Sequence, residues 1–173
     1  MLIIFEGMDR TGKDTQIENL SNHLGGAEVI HFGLPPEGTM ESQFEFFVKQ
    51  FSYANKNRDK YIIWNRSHLG EAVYGYLYRD WYYEYIFELE KVYKDLLKDS
   101  ALILCDAEVD NVLSRDDGKS LSDKKDNKEK ERRRFQAVVD FSTIPNKFVL
   151  NASSYSIEEL TEQMTNFIEG VKT

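Results

Sequence analysis

Cysteine is nearly absent: Cys105 is the only one in 173 residues. A single cysteine cannot form an internal disulfide, so a reducing, intracellular compartment is expected. At this length a core can be buried without disulfides or structural metal. Positive charge is also scarce. There are 22 Lys and Arg against 30 Asp and Glu, for a net charge of −8. Binding of duplex DNA requires a positive surface that displaces counterions, so polymeric nucleic acid is disfavoured as a partner. No apolar run approaches the length of a membrane span. Leu2-Ile3-Ile4-Phe5 is too short for the core of a secretory signal and lacks a basic start. No internal repeat or linker divides the chain. These absences leave one cytoplasmic domain over residues 1–173, with no membrane partner, as the expectation.

What is present alternates. Short apolar runs occur at Leu2 to Phe5, Glu28 to Phe32, Tyr61 to Trp64, Ala101 to Cys105 and Phe148 to Leu150. Most are apolar at consecutive positions, as strands buried on both faces are. Helical periodicity follows each run. Its stripes are Ile17/Leu20/Leu24, Phe44/Phe47/Val48/Phe51, Tyr82 through Leu97, Phe135/Val138/Val139 and Ile157 through Val171. Ser156 and Glu159 have the spacing of a capping box. Strand and helix alternating in this way predict an α/β fold, with a parallel sheet covered on both sides. Residues 116–131 break the pattern, with Leu121 as their only large apolar residue. Such a stretch reads as a mobile loop running into a helix: a solvated insertion or a lid over a nucleotide.

The sharpest motif follows the first strand. Gly7, Gly12 and Lys13 fit G-x-x-x-x-G-K, the phosphate-binding loop. Its glycines let successive N–H groups turn toward phosphate oxygens, and the following helix adds its dipole. Lys13 supplies a point charge for a transferring phosphoryl group. Gly7, Met8, Asp9, Arg10, Thr11, Gly12, Lys13, Asp14 and Thr15 therefore form the candidate ATP-binding loop. Ser or Thr normally follows the lysine and ligates Mg²⁺, but here Asp14 stands in that place. A carboxylate is itself a good ligand for Mg²⁺, and Thr15 offers a hydroxyl beside it.

The stretch Phe5 to Gln16 resembles the thymidylate kinase family of nucleoside monophosphate kinases, whose loop reads E-G-x-D-x-x-G-K-[ST]-T-Q. Its Lys-Asp-Thr variant is similar to loops of some phage deoxynucleoside monophosphate kinases. Asn65-Arg66-Ser67, Leu113-Ser114-Arg115 and Phe148 to Ser153 resemble later family segments. The resemblance implies a P-loop NTPase fold, a three-layer α/β/α with a five-stranded parallel sheet and a mobile lid at about 115–134. It implies phosphoryl transfer from ATP, with Mg²⁺, to a nucleoside monophosphate, such as the deoxynucleotide dTMP, and frequent homodimers. Lys13, Arg10, Asp9 and Arg66 would then be catalytic. Arg66 would hold the acceptor phosphate and Asp9 would place Arg10 and the acceptor sugar. Arg115 would pack on adenine, and Asp14, Thr15 and Asn65 would lie nearest the metal.

Two departures bear on the reaction. The loop after the second strand, Gly33 to Thr39, has no arginine, and Asn65 replaces a family Asp or Glu. A nucleoside hydroxyl must lose a proton as it attacks, so a carboxylate base helps. A monophosphate attacks with an oxygen largely ionised at pH 7 and needs cations instead, which Arg10, Lys13 and Arg66 supply. Asn65 thus favours a monophosphate, while Glu37 keeps a deoxynucleoside kinase open. A non-catalytic nucleotide-binding protein is a third reading. Asp14 is expected to restore the carboxylate lost at position 65.

Sixteen of the 23 aromatics lie between Phe44 and Tyr93. Rings stack on bases, and Tyr hydroxyls bond their edges. Phe44, Phe47, Phe51 and Tyr74 are candidates for an acceptor-base pocket, with core or dimer face as the alternative. Lys124 to Arg134 carries seven basic residues. Arg132, Arg133 and Arg134 either close over ATP phosphates or form a solvated helix face.

Overall fold

The structure, a computed structural model, describes residues 1–33, 39–82, 84–115 and 121–171. Strands β1 (Leu2–Glu6), β2 (Glu28–His31), β3 (Ile62–Asn65), β4 (Ala101–Asp106) and β5 (Asn146–Asn151) form one parallel sheet in the order β2-β3-β1-β4-β5. The central strands β1, β3 and β4 are buried at every residue, as their unbroken apolar runs predict. The edge strands differ. β2 and β5 expose Val29 and Val149, because each lacks a neighbour on one side.

Alternate residues of the strands feed two cores. Ile3 and Phe5 of β1 face helices α1 (Lys13–His23) and α9 (Ile157–Val171), packing with Ile17, Leu160, Met164 and Ile168. Leu2 and Ile4 face the larger opposite layer. That layer contains α2 (Met40–Lys56), the short α3 (His68–Gly70) and a π-helical turn (Glu71–Gly75). It continues with α4 (Tyr76–Tyr78), α5 (Tyr85–Val92), α6 (Lys94–Leu97), α7 (Val109–Ser114) and α8 (Lys125–Phe141). No described helix is long and apolar enough to cross a membrane.

A buried ionic cluster ties this layer together. Glu90 of α5 accepts from His68 Nε2 at 3.0 Å, Ser142 Oγ at 2.7 Å and Thr143 N at 2.6 Å. His68 lies edge-on to Phe47 and Phe51 of α2. Burial alone would raise the Glu90 carboxyl. The bonds from His68, Thr143 and Ser142 outweigh it and hold the carboxyl down to about 2.

The second half of the segment expected as a lid, about 115–134, is the start of a helix. Residues 125–134 begin α8, and the helix is fastened down. Lys128 and Glu131 pair at 2.9 Å with no exposed surface, and the Tyr78 hydroxyl donates to Glu131. Arg132 grips Asp106 with Nε and Nη2, at 2.8 and 2.9 Å, and also bonds Glu108. Arg134 Nε donates to the Ala72 carbonyl in the π-helical turn, with its guanidinium 3.6 Å from the Tyr76 ring centre. Arg132 and Arg134 therefore brace the scaffold, while Arg133 bonds its own helix at the Glu129 carbonyl. Residues 116–120 of the expected lid lie outside the described residues, as does Glu37.

Candidate active site

β1 delivers the chain to the phosphate loop between Glu6 and Lys13. Gly7 has φ +134°, and a Cβ there would sit 2.2 Å from the Cys105 carbonyl oxygen of β4. Only glycine lets the loop lie against that strand. Gly12 and Arg10 also take left-handed conformations, at φ 84° and 66°. Thr11 Oγ1 crosses the turn to the Met8 carbonyl at 2.9 Å. The buried Lys13 ammonium donates to the carbonyls of Gly7, at 2.8 Å, and Met8, at 2.5 Å. Burial, reinforced by the Arg66 charge, lowers its pKa.

Glu6 sits behind the loop, fully buried. It accepts from Ser67 Oγ at 2.6 Å and from Gly70 N at 3.1 Å, joining β1 to the segment after β3. Burial lifts its carboxyl to about 7, against the pull of Ser67, Lys13 and Arg66. Burial also pushes the Cys105 thiol up to about 12, which leaves it unreactive.

A cavity of ≈ 670 Å³ opens over the loop. Asp9 to Gln16, Asn65 and Arg66 line it, together with Arg115, Ala152, Tyr155 and Ile157. Arg115 ends α7 and donates to the Arg10 carbonyl at 3.1 Å. Gly7 and Met8 support the loop from beneath and do not line the cavity. Arg10 Nη2 reaches Asp123 at 2.8 Å, joining the loop to the chain just before α8.

Asp14 and Asn65 are in contact: Asn65 Nδ2 donates to Asp14 Oδ1 at 2.6 Å. Asn65 Oδ1 is buried with no partner among the described residues. With Thr15, these residues place oxygen donors on the cavity wall, the ligand type Mg²⁺ takes. No cluster of three His, Cys, Asp or Glu suited to a metal occurs among the described residues. The donor set therefore fits an ion that draws its remaining ligands from phosphate and water.

A second cavity of ≈ 150 Å³ meets the first at Asp9 and Arg66, which line both. These two side chains form an ion pair. Arg66 is left-handed, at φ 69°, and its guanidinium is 5.8 Å from the Tyr74 ring centre. Phe32, Phe47 and Tyr74 supply aromatic walls, and Gln43, Glu71 and Arg79 supply polar groups. Phe47 and Tyr74 thus line the cavity, but Phe44 does not. On α2, Gln43 and Phe47 are i and i+4 and share the inward face. Phe44 is turned outward, 40% exposed, against Tyr85. Phe51 packs behind, against Trp64 and Tyr93.

Gln43, Glu71, Arg79, Tyr155 and Ile157 are site-lining residues that sequence reasoning missed. Gln43 stands out only as a polar residue on an aromatic helix face, Glu71 sits in the π-helical turn and Arg79 just past the short α4, where no helical period marks them. Tyr155 is a lone aromatic beside the capping box, which the structure confirms through Ser156 and Glu159.

The loop, the strand order and the two cavities define the fold of the P-loop nucleotide kinases. YorR protein from Bacillus subtilis, solved in complex with phosphorylated GDP, superposes with TM-score 0.78 at 18% identity, over 98% of this chain and 96% of that one. Thymidylate kinase from Candida albicans gives 0.68 at 18% identity, over 99% and 92% of the two chains. Deoxyadenosine kinase from M. mycoides, with dCMP and dCDP bound, gives 0.63 at 16% identity, over 99% and 100%. No protein-family model matches the sequence, and no curated protein matches it.

Proposed function

We propose that the chain transfers the γ-phosphoryl group of ATP to a nucleoside monophosphate. The observation that carries this reading is the pair of cavities meeting at Asp9 and Arg66. A donor phosphate chain lies along the loop in one, and an acceptor base fills the other. The two phosphates then meet beside Arg66, Lys13 and Arg10. Catalysis by such a site is positioning and charge neutralisation, because the acceptor oxygen is already ionised. On nucleotide entry, Lys13 exchanges the carbonyls of Gly7 and Met8 for phosphate oxygens, and Arg66 exchanges Asp9 for the acceptor phosphate. Arg115 and Tyr155 flank the adenine. Bound Mg²⁺, held by Asp14 with support from Asn65 and Thr15, would neutralise phosphate charge.

The lack of a carboxylate at position 65 supports a monophosphate over a nucleoside. Glu6 does not replace it, because it lines neither cavity and lies fully buried behind the loop, bonded through Oε1 to Ser67 and Gly70. The resemblance to thymidylate kinases favours a deoxynucleotide; the base depends on the polar groups of the aromatic cavity. Coupled ADP release with panels of nucleosides and monophosphates tests the reading. Turnover is expected only with monophosphates, and Lys13→Ala should reduce it about 10²–10³-fold, the order expected for loss of a principal charge-stabilising group, with the fold retained. Turnover confined to nucleosides would overturn the proposal.

A further inference from the structure

The polar end of the second cavity has an unequal supply of donors and acceptors. Glu71, in the π-helical turn, is 7% exposed, and Gln43, on α2, is 2% exposed. Gln43 Nε2 donates to Glu71 Oε1 at 3.3 Å, and Arg79 Nη1 donates to Glu71 Oε2 at 2.8 Å. The contact with a carboxylate fixes the amide orientation, because the NH₂ group must face it. Gln43 Oε1 is thereby left with no partner among the described residues, in a residue that lines the cavity. A carboxylate has about four lone-pair sites, and the two bonds to Glu71 fill only part of them. Two unsaturated acceptors thus sit together in a largely buried site. Arg79 is the cation beside them, held 5.0 Å from the Trp81 ring centre.

From this arrangement we infer that the acceptor is a nucleotide whose base carries an exocyclic amino group, and that thymine and uracil are rejected. The inference rests on the kinase reading for its placement of the acceptor base. An exocyclic amine brings two N–H groups, enough to satisfy both Gln43 Oε1 and Glu71. The ring nitrogen acceptor next to the amine, N3 of cytosine, N1 of adenine or N3 of guanine, then takes an N–H of Arg79. Thymine and uracil offer one N–H, flanked by two carbonyl oxygens that would face the carboxylate. Burying unpaired polar groups is costly, so a site built this way discriminates by loss of hydrogen bonds rather than by size. The rings of Phe32 and Phe47 stack any base and add no such selectivity, while the Tyr74 hydroxyl, buried with no partner among the described residues, is a further polar group for the base edge. Arg134, bonded to the Ala72 carbonyl, holds the turn that presents Glu71.

Equilibrium binding of dCMP, dAMP, dGMP, dTMP and dUMP to the full chain, by titration calorimetry, tests the inference apart from turnover. The tightest of the three amino-bearing nucleotides should bind at least tenfold more tightly than dTMP and dUMP. Glu71→Gln should cut that preference at least tenfold. Gln43→Met, which keeps the Glu71–Arg79 pair, should cut it in the same direction if Glu71→Gln does not fold. Equal or tighter binding of dTMP or dUMP would overturn the inference. So would a preference that survives in a folded variant at either position. Selective binding without ADP release would leave the base assignment standing and defeat the kinase reading alone. Absence of binding by every monophosphate would overturn both.

Discussion

The cavity over the phosphate loop and the aromatic cavity beside it share Asp9 and Arg66 but are built in opposite ways. The first takes nearly half of its lining from one unbroken stretch, Asp9 to Gln16. Its shape is set by backbone: left-handed turns at Arg10 and Gly12, and a glycine pressed on the Cys105 carbonyl. The second gathers Phe32, Gln43, Phe47, Glu71, Arg79 and Leu121 from separate segments, and its shape is set by side chains. A local, backbone-built site fails through changes within it. A dispersed, side-chain-built site fails through changes in what holds its segments together.

The largest expected effect tests that contrast from a distance. Glu90 lines neither cavity, yet it links α5, the start of the segment carrying Glu71, and the chain after α8. Glu90→Ala should cost about 3–5 kcal/mol, the range for one partner removed from a buried pair, read by urea unfolding at pH 7. The acid limb follows from the same contact. The folded carboxyl titrates at about 2 and the unfolded one near 4.5, so the unfolded chain binds more protons between them. Stability is therefore fully present above pH 4.5 and falls by about 3 kcal/mol on acidification toward pH 2. Glu90→Ala should lack that decline. An unaltered acid limb in the variant would remove Glu90 as its cause. Glu6 acts with the opposite sign. It holds its proton in the folded state up to about 7, so its contribution falls as pH rises from 4.5 to 7.

Gly7→Ala probes the local site. The added methyl meets the Cys105 carbonyl in a left-handed backbone, for about 2–4 kcal/mol of destabilisation. Nucleotide binding at the loop should weaken by more than the acceptor side does, measured by separate titrations of ATP and monophosphate. Equal loss at both would break the distinction between the cavities.

The smallest effect concerns Asp14. Asp14→Asn should lower Mg²⁺-dependent turnover about 10–100-fold, the scale for disturbed metal support, while Asp14→Ser restores the usual loop hydroxyl and loses less. Matching Mg²⁺ dependence in both variants and the parent would remove Asp14 from the metal position.

How much of this was legible depended on distance along the chain. The five apolar runs lie within the observed strands or within two residues of their ends, because a strand buried on both faces needs continuous apolar sequence. The loop was legible because glycines and lysine at fixed spacing carry its geometry. The aromatic stripe of α2 marked Phe44 and Phe47 alike, and of these two Phe47 lines the cavity, since a wide apolar stripe does not say which edge faces a cavity. The π-helical turn had no periodic signal, so Glu71 stayed hidden. Arg132 and Arg134 of α8 are ambiguous by charge alone; the carboxylates and carbonyl that hold them lie 24, 26 and 62 residues away.

The sequence by itself determined the parallel sheet, the phosphate loop and the absence of a carboxylate at position 65. Each depends on neighbours within a few residues. Only the tertiary structure decided that Asp14 touches Asn65, that α8 is braced rather than free, and that Gln43, Glu71 and Arg79 converge beside Phe47 and Tyr74. Those contacts join segments whose proximity exists only after the sheet has ordered its strands, and short-range patterning carries no record of them.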